Sequence, residues 1–149
     1  MRTTVIAIAL ACTLVPLPVF AGDRDEVLRV VTDAYLNGVH IRPDAAAMRK
    51  GFHPDFRMLV LGDGKMSAVT LEEWAGRIEK AAADPAARKV AIRYQIHEVD
   101  ITGAAATVKI DLWRDEVHTF TDYLSLYKFA DGWKIVGKTF YRHPAPGTR

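Results

Sequence analysis

The chain has 149 residues, 50% hydrophobic and 26% charged, with 20 Lys and Arg against 18 Asp and Glu for a formal net charge of +2. That length suits one domain able to bury a core without staples. The interleaved charges leave no basic stripe for nucleic acid or an anionic membrane surface, and a lone cysteine excludes an internal disulfide.

The first 21 residues read as a leader. Arg2 precedes an apolar run from Val5 into Val15, then come Pro16, Pro18 and a Val19-Phe20-Ala21 ending, which is the layout of a secretory signal peptide. Cleavage is expected after Ala21, giving a single domain over 22–149 that is periplasmic or secreted, with no stable membrane insertion once the leader is gone. An uncleaved anchor is the alternative. Lipoprotein processing at Cys12 fits less well, because Ala9-Leu10-Ala11 matches loosely and the apolar Leu14 to Phe20 stretch would remain attached. Since Cys12 lies in the leader, the exported domain carries no thiol for metal binding or nucleophilic attack.

Val27, Val30, Val31, Ala34 and Tyr35 recur at helical spacing, predicting a first helix over Asp23 to Asn37 that Gly38 stops. Asp44 caps a short second helix through Ala45-Ala46-Ala47-Met48, ended by Gly51. Phe56 to Leu61 reads as a strand, Gly62 to Lys65 as a turn and Met66 to Val69 as the returning strand. Thr70-Leu71-Glu72-Glu73 has the form of a capping box, opening a third helix whose Leu71, Trp74, Ala75 and Ile78 share a face and which ends before Asp84-Pro85. From Lys89 the period becomes that of strands. Breaks at Thr102-Gly103, Glu116 to His118 and Asp131-Gly132 divide the remainder into four. Helices first and a mostly antiparallel sheet after them define the α+β class.

A two-residue turn at Thr102-Gly103 pairs Ile101 with Ala104, which sets His97 opposite Val108, Gln95 opposite Ile110 and Arg93 opposite Leu112. Ala106, Val108, Ile110 and Leu112 form the most regular aliphatic row, assigned to the helix side. Arg93, Gln95 and His97 then intrude on an apolar interior, a costly arrangement that suggests a polar cavity. The last hairpin leaves two registers open. A turn centred on Asp131-Gly132 sets Ser125 opposite Lys138 and Tyr123 opposite Phe140; a three-residue loop Ala130-Asp131-Gly132 sets them opposite Gly137 and Thr139.

The segments YLNGVHIRPDAAAMRKGFHPDF, MSAVTLEEW and DYLSLYKFADGWKIVGKTF resemble the nuclear transport factor 2-like (NTF2-like) superfamily, within it the "putative lumazine-binding" branch. The superfamily includes SnoaL-like polyketide cyclases and ketosteroid isomerases. The resemblance covers nearly the whole exported domain and is most specific at GFHPDF and DGWKIVGK. It implies a cone-shaped fold, with N-terminal helices on a curved sheet, an interior pocket open at one end, and often a homodimer packed through the sheet face. The acid that polarises the carbonyl in the isomerases falls at or near Ser125, a departure that counts against that chemistry.

The candidate ligand-binding residues are Tyr35, His53, Asp55, Gln95, His97, Tyr123 and Ser125. His53 and Asp55 are spaced to form an acid–base pair at a pocket rim or, preferably, to shape a helix–strand turn. Gln95 and His97 offer directed polar contacts on an apolar background, the usual composition of a small-molecule site. Tyr35 either points its hydroxyl into that space or completes the core. Tyr123, Ser125 and Tyr127 alternate along one strand face, which lines a cavity with hydroxyls or is simply half-buried. Trp74 belongs to the core; Trp113 is a pocket wall or, preferably, part of a dimer surface. His40, His53, His97, His118 and His143 show no ligand spacing, so no metal is expected, and with neither a phosphate loop nor a nucleophile elbow, no cofactor.

These residues support an exported domain that binds a small, partly aromatic molecule. The alternative is a cofactor-independent isomerase, dehydratase or cyclase with His97 or Asp55 as base. A third reading is protein interaction through the sheet around Trp113.

Overall fold

A computed structural model describes residues 22–86 and 89–147, so the expected leader lies outside the described residues. Three helical regions pack on one face of a six-stranded, curved, unclosed sheet of order β2-β1-β6-β5-β4-β3. The strands are β1 (Phe52–Gly62), β2 (Lys65–Thr70), β3 (Ile92–Thr102), β4 (Ala105–Arg114), β5 (Val117–Phe129) and β6 (Gly132–Arg142). Only β1 and β6 pair in parallel; the other neighbours are antiparallel. This is the expected α+β architecture. Among the described residues no helix is long and apolar enough to cross a membrane.

Helix α1 (Asp23–Val30) runs on as a π-helical segment, Val31–Ile41, past the expected stop at Gly38. The glycine serves proximity instead of termination. A Cβ there would stand 3.3 Å from the Asp44 carbonyl oxygen and the Met48 nitrogen, so Gly38 lets the next helix come close. That helix, α2 (Ala45–Gly51), is capped by Asp44, whose carboxylate accepts from the amides of Ala46 and Ala47 at 2.9 and 3.0 Å. At its far end a Cβ on Gly51 would collide with Cβ of Ala34, which fixes the crossing of α2 over the π-helical segment. Helix α3 (Leu71–Ala83) opens with the predicted capping box: Thr70 Oγ1 accepts from the Glu73 amide at 3.2 Å and Glu73 Oε2 accepts from the Thr70 amide at 2.8 Å. Its Trp74 meets Phe52 and Phe56 at ring separations of 5.9 and 5.8 Å, closing one side of the core.

Three one-residue bulges decide which side chains face the helices. In β3 the extra residue is His97, because Ile96 pairs with Ile110 while Glu98 pairs with Lys109. In β5 it is Thr119, and in β6 it is Val136. A bulge reverses the in-and-out alternation beyond it. Thus Ile92 and Ile96 face inward before His97, and Val99 and Ile101 face inward after it.

These registers correct two expectations. The turn joining β3 and β4 holds Gly103-Ala104, so Thr102 pairs with Ala105, Arg93 with Trp113 and Gln95 with Asp111. The Ala106-Val108-Ile110-Leu112 row is buried as expected, but Arg93, Gln95 and His97 lie on the opposite face. One turn residue and one bulge account for the difference. In the last hairpin Phe129 pairs with Gly132 around an Ala130-Asp131 turn, which neither reading supplied. The Val136 bulge nevertheless brings Ser125 opposite Gly137 and Tyr123 opposite Thr139, the pairing of the second alternative.

Candidate functional site

The inner face of the sheet carries one charged pair where an aliphatic row would be simplest. Asp122 on β5 alternates inward with Leu124 and Leu126, and Lys138 is the first inward residue of β6 after its bulge. Both are buried, Asp122 with 0% and Lys138 with 6% of its surface exposed. Lys138 Nζ lies 2.9 Å from Asp122 Oδ1 and donates to Tyr35 Oη at 2.8 Å, while that hydroxyl donates to Asp122 Oδ2. The fully buried Tyr35 from the π-helical segment therefore links the two charges. Burial, then the Asp122 charge, pushes the Tyr35 phenol well above its ordinary value, so it stays protonated and donates. Burial draws Lys138 below its ordinary value, against the attraction of Asp122.

Aromatic rings enclose the ammonium group. Lys138 Nζ is 5.0 Å from the ring centres of Tyr35 and Phe140, 5.3 Å from Trp74 and 6.0 Å from Phe120. Ring faces attract a cation most where water is excluded. Towards the end of the sheet the inner face becomes more open. Phe120 and Phe140 are half-buried there, and the exposed Arg114 and Arg142 hold their guanidinium carbons 5.4 and 5.0 Å from the Phe120 ring. His40 meets the Tyr35 ring edge-on at 4.9 Å and has its Nδ1 3.5 Å from Arg114. Its Nε2 is buried without a hydrogen-bond partner. Burial first, then the charges of Lys138 and Arg114, holds the imidazole well below its ordinary pKa and hence neutral near pH 7.

Of the residues expected to bind ligand, Tyr35 alone belongs to this constellation. His53 stacks on Phe129 at 4.6 Å and its Nδ1 accepts from the Asp55 amide at 3.1 Å, a local hydrogen bond within β1 where a turn was expected; the Asp55 side chain is 86% exposed. Gln95 and His97 stand on the outer face, where His97 Nε2 lies 2.8 Å from Asp111 Oδ2. Tyr123 and Ser125 also face outward, lining a groove of about 420 Å³ with Arg57, Leu59, Thr107 and Thr139. Sequence reasoning missed Asp122, Lys138 and His40. A signal existed for Asp122, a carboxylate two residues before Leu124 and four before Leu126, but Lys138 reads as an outward residue until the Val136 bulge is known.

Comparison with known proteins agrees with this architecture. Residues 22–141 match the model of a family described as "Putative lumazine-binding". An NTF2-like protein of unknown function from Shewanella baltica is 23% identical, with 83% of this chain and 95% of that one covered at a TM-score of 0.66. A "putative ketosteroid isomerase" from Shewanella frigidimarina is 21% identical, with coverage of 80% and 98% and a TM-score of 0.58. A "putative dehydratase" from Streptomyces avermitilis is 14% identical, with coverage of 83% and 97% and a TM-score of 0.58. No curated protein matches the chain.

Proposed function

Because the chain belongs to the family described as "Putative lumazine-binding", within the NTF2-like fold, we propose that it is a small-molecule-binding domain working in the periplasm or outside the cell. Its ligand is a flat, partly aromatic molecule carrying an anionic or carbonyl oxygen. The ring lies against Phe120 and Phe140 at the open end of the inner face, and its oxygen is met by Arg114 and Arg142, with the Lys138 charge behind the rings. The carrying observation is the buried Tyr35–Asp122–Lys138 network. An apolar trio of similar volume would fold as well or better, so these charges are better explained by a ligand than by stability.

Binding is favoured over the isomerase, dehydratase or cyclase reading by how Asp122 is held. A general base needs an oxygen within reach of the substrate proton, whereas one oxygen of Asp122 faces Lys138 and the other accepts from Tyr35. The alternative bases, His97 and Asp55, lie on the outer face and on an exposed position near the start of β1.

Fluorescence titration with lumazine, followed by a panel of aromatic carboxylates, tests the proposal. A saturable signal is expected, weakened at least tenfold by Phe140→Ala. Equal affinity in that variant places the ligand elsewhere, with the outer groove at Tyr123 and Ser125 next to be examined through Tyr123→Ala.

We further propose a homodimer through the outer sheet face, supported by Tyr123, Tyr127 and Tyr141, which are 46%, 53% and 57% exposed. Light scattering after size exclusion tests it, and Tyr127→Glu is expected to give the monomer.

A further inference from the structure

On the outer face, across the sheet from the ligand proposed above and independent of it, three of the five histidines converge on one carboxylate. Asp111 comes from β4, His118 from β5 and His143 from the chain just beyond β6. The backbone amide of His143 donates to the Thr119 carbonyl at 3.0 Å, which fastens that terminal stretch to the sheet. One ligand atom from each of Asp111, His118 and His143 lies within 4.8 Å of the other two. His118 Nε2 is 3.3 Å from Asp111 Oδ1, buried, and without hydrogen-bond geometry to any partner. His118 and His143 stack with ring centres 3.7 Å apart, and His143 Nε2 is 3.0 Å from Thr121 Oγ1. His97 Nε2 holds the other oxygen, Asp111 Oδ2, at 2.8 Å.

We infer that Asp111, His118 and His143 form a binding site for a divalent transition-metal ion of the Zn²⁺, Cu²⁺ or Ni²⁺ type. The spacing is close to what such an ion needs. Bonds of about 2.0–2.1 Å in a tetrahedron set ligand atoms roughly 3.3 Å apart, which the His118–Asp111 pair already meets, and a turn of the His143 ring brings its nitrogen in. Two imidazoles with one carboxylate are the wrong donors for Mg²⁺ or Ca²⁺, which take oxygen ligands, and the absence of sulfur disfavours Cu⁺. The carboxylate is already oriented, since Thr121 Oγ1 donates to its Oδ1 at 2.5 Å and His97 lies against its Oδ2. His97 acts as a positioning residue, turning Oδ1 towards the ion by holding Oδ2. Three protein ligands leave one tetrahedral position for water or an external group.

The site lies beside a spectroscopic reporter, since the Trp113 ring stacks on His118 at 4.7 Å. Tag-free, chelator-stripped protein titrated calorimetrically with Zn²⁺ is expected to take one ion per chain, with a rise in Tm. Cu²⁺ is expected to quench the Trp113 emission, and Trp113→Phe to abolish that quenching while leaving the Zn²⁺ stoichiometry at one. His118→Ala/His143→Ala is expected to lose the site and His53→Gln to keep it. His97→Ala is expected to retain one ion at about 10–100-fold weaker affinity. Should the double variant fail to fold, His143→Gln, beyond the last strand, carries the same expectation of loss. Zn²⁺ affinity unchanged in these ligand variants, or neither heat nor a Tm change with excess Zn²⁺, overturns the inference.

Discussion

Each candidate site is built on a carboxylate, one on either face of the sheet, and the two are neighbours: Asp111 on β4 pairs with Thr121, the residue before Asp122 on β5. Their circumstances are opposite. Asp122 is shut among rings and shares its oxygens between Lys138 and Tyr35, whereas Asp111 is partly open to water and gathers histidines that can change partner. In the interior a charge is fixed by the cost of leaving it alone; at the surface the same group stays free to exchange a hydrogen bond for an ion. One pleat therefore separates a locked site from an adjustable one.

The comparison can be broken most directly at Lys138. Lys138→Met leaves Asp122 buried and unpaired, and urea denaturation is expected to show a loss of about 3–5 kcal/mol. Asp122→Leu with Lys138→Met should regain most of it, since an apolar pair of similar volume tolerates burial. If the double variant is as unstable as the single, the ion pair contributes more to folding than the binding proposal allows. Tyr35→Phe removes only the linking hydroxyl, and a cost of about 1–3 kcal/mol is expected by the same measurement.

His40 sharpens the contrast through pH. Its folded-state pKa is depressed from the ordinary 6.5, so below that pH the unfolded chain binds a proton that the folded protein resists. The contribution is present above pH 6.5 and lost as the pH falls towards the folded value. Tyr35, Lys138, Asp122 and Arg114 are the titratable and charged groups around it. His40→Gln is expected to flatten the acid slope of stability between roughly pH 7 and pH 5, and an unchanged slope would mean that the imidazole is not held neutral. The smallest effect belongs to the outer face. Asp111→Asn in metal-free protein should change stability by under about 1 kcal/mol, and a loss matching that of Lys138→Met would erase the distinction between the faces.

Much of the frame was legible in the chain. Asp44, the Thr70–Glu73 box and Leu71, Trp74 and Ala75 act over four residues or fewer, and helix starts obey such local chemistry. Burial of the Ala106 to Leu112 row followed from strict alternation. The sites were less legible because they depend on long-range register. Reading the turn one residue early shifted the β3–β4 pairing by two residues and kept the faces, whereas passing over His97 as a bulge put Gln95 and His97 on the wrong face, and the Val136 bulge hid Lys138. Spacing along the chain could not bring His118 and His143 to Asp111 either, because that proximity is created by three adjacent strands. Gly38 misled for another reason: a glycine that makes room for a neighbouring helix looks, in sequence, like one that ends its own.

The bulges at His97, Thr119 and Val136 also bear on how this fold can change over time. A strand's side chains behave like a reading frame with two settings, and one inserted or deleted residue shifts everything downstream from one side of the sheet to the other. Smoothing the bulge of β6 into regular strand with Val136 kept and the hairpin end fixed would turn Lys138 outward and offer Gly137 to the core. A relative of the same shape could thus lose the interior charge, or expose a different set of residues outside, without substituting a single amino acid at those positions. Alignments across this fold need single-residue gaps at the bulges before any functional residue is carried from one protein to another.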